Sequence, residues 1–146
     1  MSDLEPSDVA SRRAARERAL ELLYEAETKG IDIPELLAQQ PIAPADLAVE
    51  LVDGVATHRR RIDEVVGRLV APKWSLDRLA AVDRQVLRLG AYELLAVPER
   101  SPALIINEAV VLARRFGSDD SPRFVNGVLS AVASELREPG ESATET

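Results

Sequence analysis

The sequence predicts an all-helical (all-α) protein made of packed helical bundles. Three observations carry that expectation. Apolar residues recur at i, i+3, i+4 and i+7 through most of the chain, which is the period of one helix face. No stretch alternates apolar and polar residues over a useful length, so no sheet is expected. Proline and glycine cut the periodic stretches into six segments with short connections, the pattern of helices that pack on their neighbours.

The first helix is striped by Ala19, Leu22, Leu23 and Ala26, with Ser11 as candidate N-cap and Gly30 as its stop. A short helix over about 34–40 follows, with Pro34 at its first position, where a missing N–H costs nothing. A long third helix spans about 44–71; Pro44 opens it, Leu51, Val55, Ile62, Val66 and Leu69 stripe it, and Pro72 ends it. KWSLDR reads as a loop or short turn. The next helix, about 79–96, carries Val82, Val86, Leu87, Leu89, Leu94 and Leu95 on more than one side, as a central buried helix does. Pro98 and Pro102 punctuate the connection to a helix over 105–116. Ser121-Pro122 opens the last helix, with Val125, Val128, Leu129, Val132 and Leu136 on one face. Gly54, Gly67, Gly90 and Gly127 fall inside these helices, where close approach of a second helix is the ordinary reason and close approach of a ligand the sharper one.

The 146 residues fit one domain or two tightly joined subdomains. Residues 1–10 read as an acidic flexible leader, 11–137 as the folded body with subdomains at about 11–71 and 74–137, and 138–146 as an acidic disordered tail. Hydrophobic residues make up 46%, with few aromatics, so Leu, Val, Ile and Ala must build the core. There is no cysteine, and no apolar run approaches the roughly 20 residues that span a bilayer. The acidic start has no apolar signal region, so a cytoplasmic location is expected. The net charge of −7 argues against nucleic acid until its distribution is considered. The two ends hold six acids and no base, which leaves a body near neutrality.

Chemistry is sparse. The single histidine, His58, precedes Arg59, Arg60 and Arg61 on what reads as a solvated helix face. No glycine-rich phosphate loop exists. Asp119-Asp120 lacks a nearby histidine or third acid. No enzyme, cofactor or metal site is expected. The basic cluster is more informative. Arg12 and Arg16 are i, i+4 neighbours and Arg13 lies 100° away, so the three predict a basic face at the open end of the first helix. Arginine suits phosphate because its planar fork donates two parallel hydrogen bonds. The alternative is a solvated charged face. Phe124, beside Arg123 and Asn126, sits at the edge of the last helix's apolar stripe. It either packs in the core or stacks on an unpaired base.

Three strings go further. RRAARERALELLYE, LDRLAAVDRQVLRLGAYELL and IINEAVVLARRFGSDDSPRFVNGVL resemble, in this order, the opening, central and C-terminal signatures of the NusB transcription antitermination family. The matches cover most of residues 11–132. The resemblance implies two three-helix subdomains. It also implies binding to a single-stranded boxA element of nascent ribosomal RNA. The partner it implies is NusE, a small-subunit ribosomal protein, within an antitermination complex of RNA polymerase and other Nus factors. By position, Arg12, Arg13 and Arg16 match the RNA-binding start, and Asp120, Arg123 and Phe124 a second RNA-contacting segment. Asp77 and Asp83 match acidic positions facing NusE. Several apolar helix faces leave a homodimer open. The competing reading is a helical protein–protein adaptor without intrinsic RNA binding.

Overall fold

The structure, a computed structural model, describes residues 6–70 and 75–137. The expected acidic tail at 138–146 and the first five residues of the expected leader lie outside these residues. Seven α-helices and one 3-10 turn are found among the described residues, and no strand. They are α1 (Pro6–Lys29), α2 (Ile33–Ala38), α3 (Asp46–Thr57), α4 (Arg59–Val70), the turn Leu76–Arg78, α5 (Ala81–Ala96), α6 (Pro102–Phe116) and α7 (Ser121–Leu136).

α1 begins at Pro6, so Ser11 lies inside the helix and is not its N-cap. The stop at Gly30 is as expected. Gly30 has φ +69°, and Ile31 N–H donates to the Ala26 carbonyl at 3.1 Å while Gly30 N–H also reaches the Glu27 carbonyl at 3.3 Å. This is a Schellman end, whose left-handed residue is normally glycine because a Cβ clashes there. Asp32 then caps α2, its carboxylate accepting from Glu35 N–H at 3.0 Å.

The expected long third helix is two helices. His58, at φ −102° and ψ 13°, interrupts it. His58 N–H donates to the Gly54 carbonyl at 3.0 Å, and its ring Nδ1 lies 2.9 Å from the same oxygen. The break has a packing reason. α3 packs on α1, α2 and α5, whereas α4 packs on α5 and α7. One straight stripe could not face both sets of neighbours. The histidine is half-buried, its ring tilted 5.6 Å from that of Tyr92, and so does not sit on a solvated face as expected. Arg59, Arg60 and Arg61 are exposed.

Thus α1, α2 and α3 form one bundle and α5, α6 and α7 the other, with α4 laid along α5 and α7. α5 is the shared element: every residue from Gln85 to Leu94 is buried. Two of the helical glycines explain how closely its neighbours approach. A Cβ at Gly54 would strike the Tyr92 ring, and one at Gly90 would strike Leu129. Gly67 and Gly127 meet nothing of the kind, so helix approach does not explain them. At the far end of α5, Arg137 donates to the carbonyls of Leu94 (2.8 Å), Val97 (2.7 Å), Arg100 (3.0 Å) and Glu93 (3.2 Å). A single guanidinium thereby binds the last turn of α5 and the connection that follows it, and gives the Leu94 carbonyl, one of those a helix C-terminus leaves open, a partner.

Candidate nucleic-acid interface

Arg12 and Arg13 are exposed at the N-terminal end of α1; Arg16 is not. Its residue exposure is 5%. The expectation of a solvated basic face therefore fails at Arg16, because that position continues the buried row Ala15, Ala19 and Leu20. Its charge is matched by Glu93 of α5, at 2.7 and 3.2 Å through two parallel hydrogen bonds. Arg100 reaches the same Glu93 at 3.1 Å and Glu50 of α3 at 3.0 Å. Tyr92 donates its hydroxyl to Glu50 at 3.3 Å. Burial and the neighbouring Glu50 push the Tyr92 phenol above its ordinary range. Arg16 is thus a buried member of a partly exposed network tying α1, α3 and α5 together.

Arg13 is tied as well, but from the surface. Its Nε lies 3.1 and 3.2 Å from the two oxygens of Glu108 on α6, and its Nη2 is 3.1 Å from one of them. The Arg13 side chain is 45% exposed and that of Glu108 8%. Arg12 forms no ion pair with a described residue and lines an open cleft with Arg16, Asp46, Leu47, Glu50, Arg100 and Leu104.

The second segment is the start of α7. Asp120 occupies the N-cap position but has helical angles (φ −86°, ψ −13°), and its side chain accepts no capping hydrogen bond. The local bonding falls to Ser121, whose Oγ accepts from Ser118 N–H at 2.9 Å. Asp120 and Arg123 are exposed and line an open groove of about 830 Å³ between α6 and α7, with Ile106, Asn107, Arg114 and Asn126. Phe124 does not line that groove. It is half-buried against the core cluster, between the two readings the sequence left open.

A third surface lies at the N-terminal end of α5. Asp77 is exposed on the 3-10 turn. Asp83 lines a cleft of about 210 Å³ with Tyr24, Phe116, Ser118 and Ser121. Its Oδ1 is buried and has no hydrogen-bond partner among the described residues. An unsatisfied buried carboxylate oxygen is costly, and a donor from outside the chain would relieve it. Tyr24 is 45% exposed and Phe116 37%, in the cleft that Asp83 also lines. Sequence reasoning passed over both aromatics. The available signal was that Tyr24 falls off the Ala19, Leu22, Leu23, Ala26 stripe and that Phe116 ends its helix just before Gly117.

Among the described residues no group of three or more His, Asp or Glu side chains gathers to hold a metal, and no helix is long and apolar enough to cross a membrane.

A sequence model of the NusB family matches residues 13–134 of the chain. The transcription antitermination protein NusB of Streptomyces avermitilis is 42% identical over 135 residues, covering 85% of this chain and 92% of that protein. Among solved structures, NusB of T. maritima superposes with a TM-score of 0.77 at 33% identity, covering 89% of this chain and 94% of that one. A crystal structure of antitermination factors NusB and NusE in complex with dsRNA contains a chain that superposes with a TM-score of 0.72 at 30% identity, covering 86% of this chain and 98% of that one.

Proposed function

This chain belongs to the NusB family, and from that premise we propose that it is a transcription antitermination factor that binds a boxA-type element of nascent ribosomal RNA as a heterodimer with NusE. The observation that supports this most directly is the relative solved together with NusE and RNA, whose backbone this chain follows over most of its length. The surfaces fit a division of labour. Arg12 and Arg13 offer guanidinium donors to phosphate, and Arg123 and Phe124 supply a cationic and a base-facing group at the start of α7. Asp120 adds a carboxylate to that second segment and tempers it by repelling phosphate. Arg16 serves the RNA surface indirectly, by fixing α1 against α5. Asp83, with exposed Tyr24 and Phe116, forms the protein-facing patch, and Asp77 extends its acidic rim. The protein acts without catalysis, in the cytoplasm, within a complex of RNA polymerase and other Nus factors.

The test is RNA affinity measured by fluorescence anisotropy against salt, with and without NusE. Phosphate contacts release counterions, so affinity should fall steeply with salt, by a slope of about 0.7 per contact on a single strand. A protein–protein adaptor would bind NusE and show no RNA affinity to titrate; the burial of Arg16, which shrinks the basic face, is what favours that second reading. Asp83→Lys should abolish the heterodimer and leave the helical circular dichroism signal intact. Normal NusE binding by that variant would remove Asp83 from the patch.

A further inference from the structure

Two neighbouring arginines of α1 are each gripped by a nearly buried carboxylate, with opposite results. Glu93 engages Arg16 almost out of solvent, with side-chain exposures of 6% and 3% for the pair. Glu108 engages Arg13 at the surface, with exposures of 45% for the arginine and 8% for the acid. The atoms involved matter. Glu108 accepts from Nε and Nη2 of Arg13, which together form one edge of the guanidinium plane. Nη1 donates to no described residue, so the second edge, Nη1 with the outer hydrogen of Nη2, has its parallel donors unused.

We propose that Glu108 is a positioning residue for RNA: it holds Arg13 by the inner edge so that the outer edge is presented, already oriented, to a backbone phosphate. The proposal rests on the reading above that Arg13 touches RNA. Its physical content is preorganisation. A long exposed arginine must give up rotamer freedom when it grips a ligand; Arg13 gives it up on folding, to a carboxylate fixed in the body of α6. Two edges of one planar fork can serve two anions at once, which a lysine ammonium on the same stem could not do with the same geometry. The buried acid is itself kept tolerable by this pairing, because an unpaired carboxylate there would be costly.

The sign of the effect distinguishes this role from simple electrostatics. Removing a negative charge beside an RNA surface should tighten binding if Glu108 only repels phosphate or competes for Arg13. It should weaken binding if Glu108 positions Arg13. The measurement is anisotropy of a short fluorescein-labelled single-stranded RNA of boxA type, with NusE present, on full-length protein whose folded fraction is checked by urea unfolding. Glu108→Gln should lower affinity by about threefold to tenfold, the scale of one charge-assisted hydrogen bond lost in part. Glu108→Asp keeps the charge and shortens the reach; it should weaken binding too, whereas an electrostatic role would leave it at the wild-type value. In an Arg13→Lys background, Glu108→Gln should no longer matter, and the salt slope of Arg13→Ala should drop by about 0.7. If Arg13→Lys and Arg13→Ala bind RNA as well as wild type, the RNA role of Arg13 is wrong and the proposal falls with it. If the Arg13 variants weaken binding but Glu108→Gln or Glu108→Asp binds RNA equally or more tightly, Arg13 keeps its role and the positioning role of Glu108 is overturned.

Discussion

The basic end of α1 and the start of α7 are held in place by different means. At α7 the bonding is local: Ser121 turns back to Ser118, and Phe124 packs on the core beneath its own helix. At α1 it is remote. Arg16 and Arg13 find their carboxylates 77 and 95 residues away in sequence. A local arrangement is written in neighbouring residues and can be read from them. A remote one decides whether an arginine is a ligand-binding group or a structural bolt: the local row Ala19, Leu20 and Leu23 signals that Arg16 faces inward, but not which carboxylate meets it there.

The largest expected effect tests that contrast directly. Arg16→Ala should cost about 3 kcal/mol of stability, because it strips two hydrogen bonds from buried Glu93 and leaves Arg100 as its remaining charged partner. Urea unfolding measures it, and a variant as stable as wild type would return Arg16 to the surface. Phe124→Ala comes next, at about 1–2 kcal/mol, in keeping with a half-buried ring. The same variant, compared at constant folded fraction, should lose ~1–3 kcal/mol of RNA binding if a base stacks there. Loss of stability alone would leave α7 with Arg123 as its only attractive RNA contact.

A smaller effect concerns another remote pair. Arg84 donates to both oxygens of Glu27, at 2.7 and 3.0 Å, and holds that carboxyl below the usual carboxylate range. A carboxyl whose folded value is lowered stabilises the fold above its unfolded value, and that contribution fades as pH falls through the folded one. Glu27→Gln should therefore flatten the acid limb of a stability–pH curve below about pH 4.5. Above that range the loss should stay under about 1 kcal/mol, since the pair is partly solvated. The smallest effect belongs to Asp120→Asn. The side chain makes no capping bond, so stability should change by only a few tenths of a kcal/mol from the helix dipole. RNA affinity should rise modestly as a repulsive charge is removed; an unchanged affinity would place Asp120 outside the RNA path.

Much of the fold was legible. The buried rows Leu22, Leu23 and Ala26 on α1 and Val125, Leu129 and Val132 on α7 are the stripes that periodicity predicts, and the many-sided apolar pattern of α5 matches its complete burial. The break at His58 was not legible, because apolar spacing continues across it and only the different partners of α3 and α4 demand it. The candidate site was legible in residue type and less so in geometry. Arg12, Arg13, Asp120 and Arg123 are exposed where the sequence put them, whereas Arg16 is buried and Asp83 carries an oxygen whose isolation depends on the close packing around it.

The long reach of the α1 ion pairs also orders events in time. α1 leaves the ribosome before α5 and α6, yet the carboxylates that fix its arginines come with those later helices. Until those helices are made, Arg13 and Arg16 have no Glu108 or Glu93 to bind, and the α1 surface stays unassembled even if the helix itself has formed. Chains usually secure their N-terminal parts first as they are synthesised. Here an early segment is finished late, so a nascent chain stalled before α5 would present loose arginines rather than a shaped site.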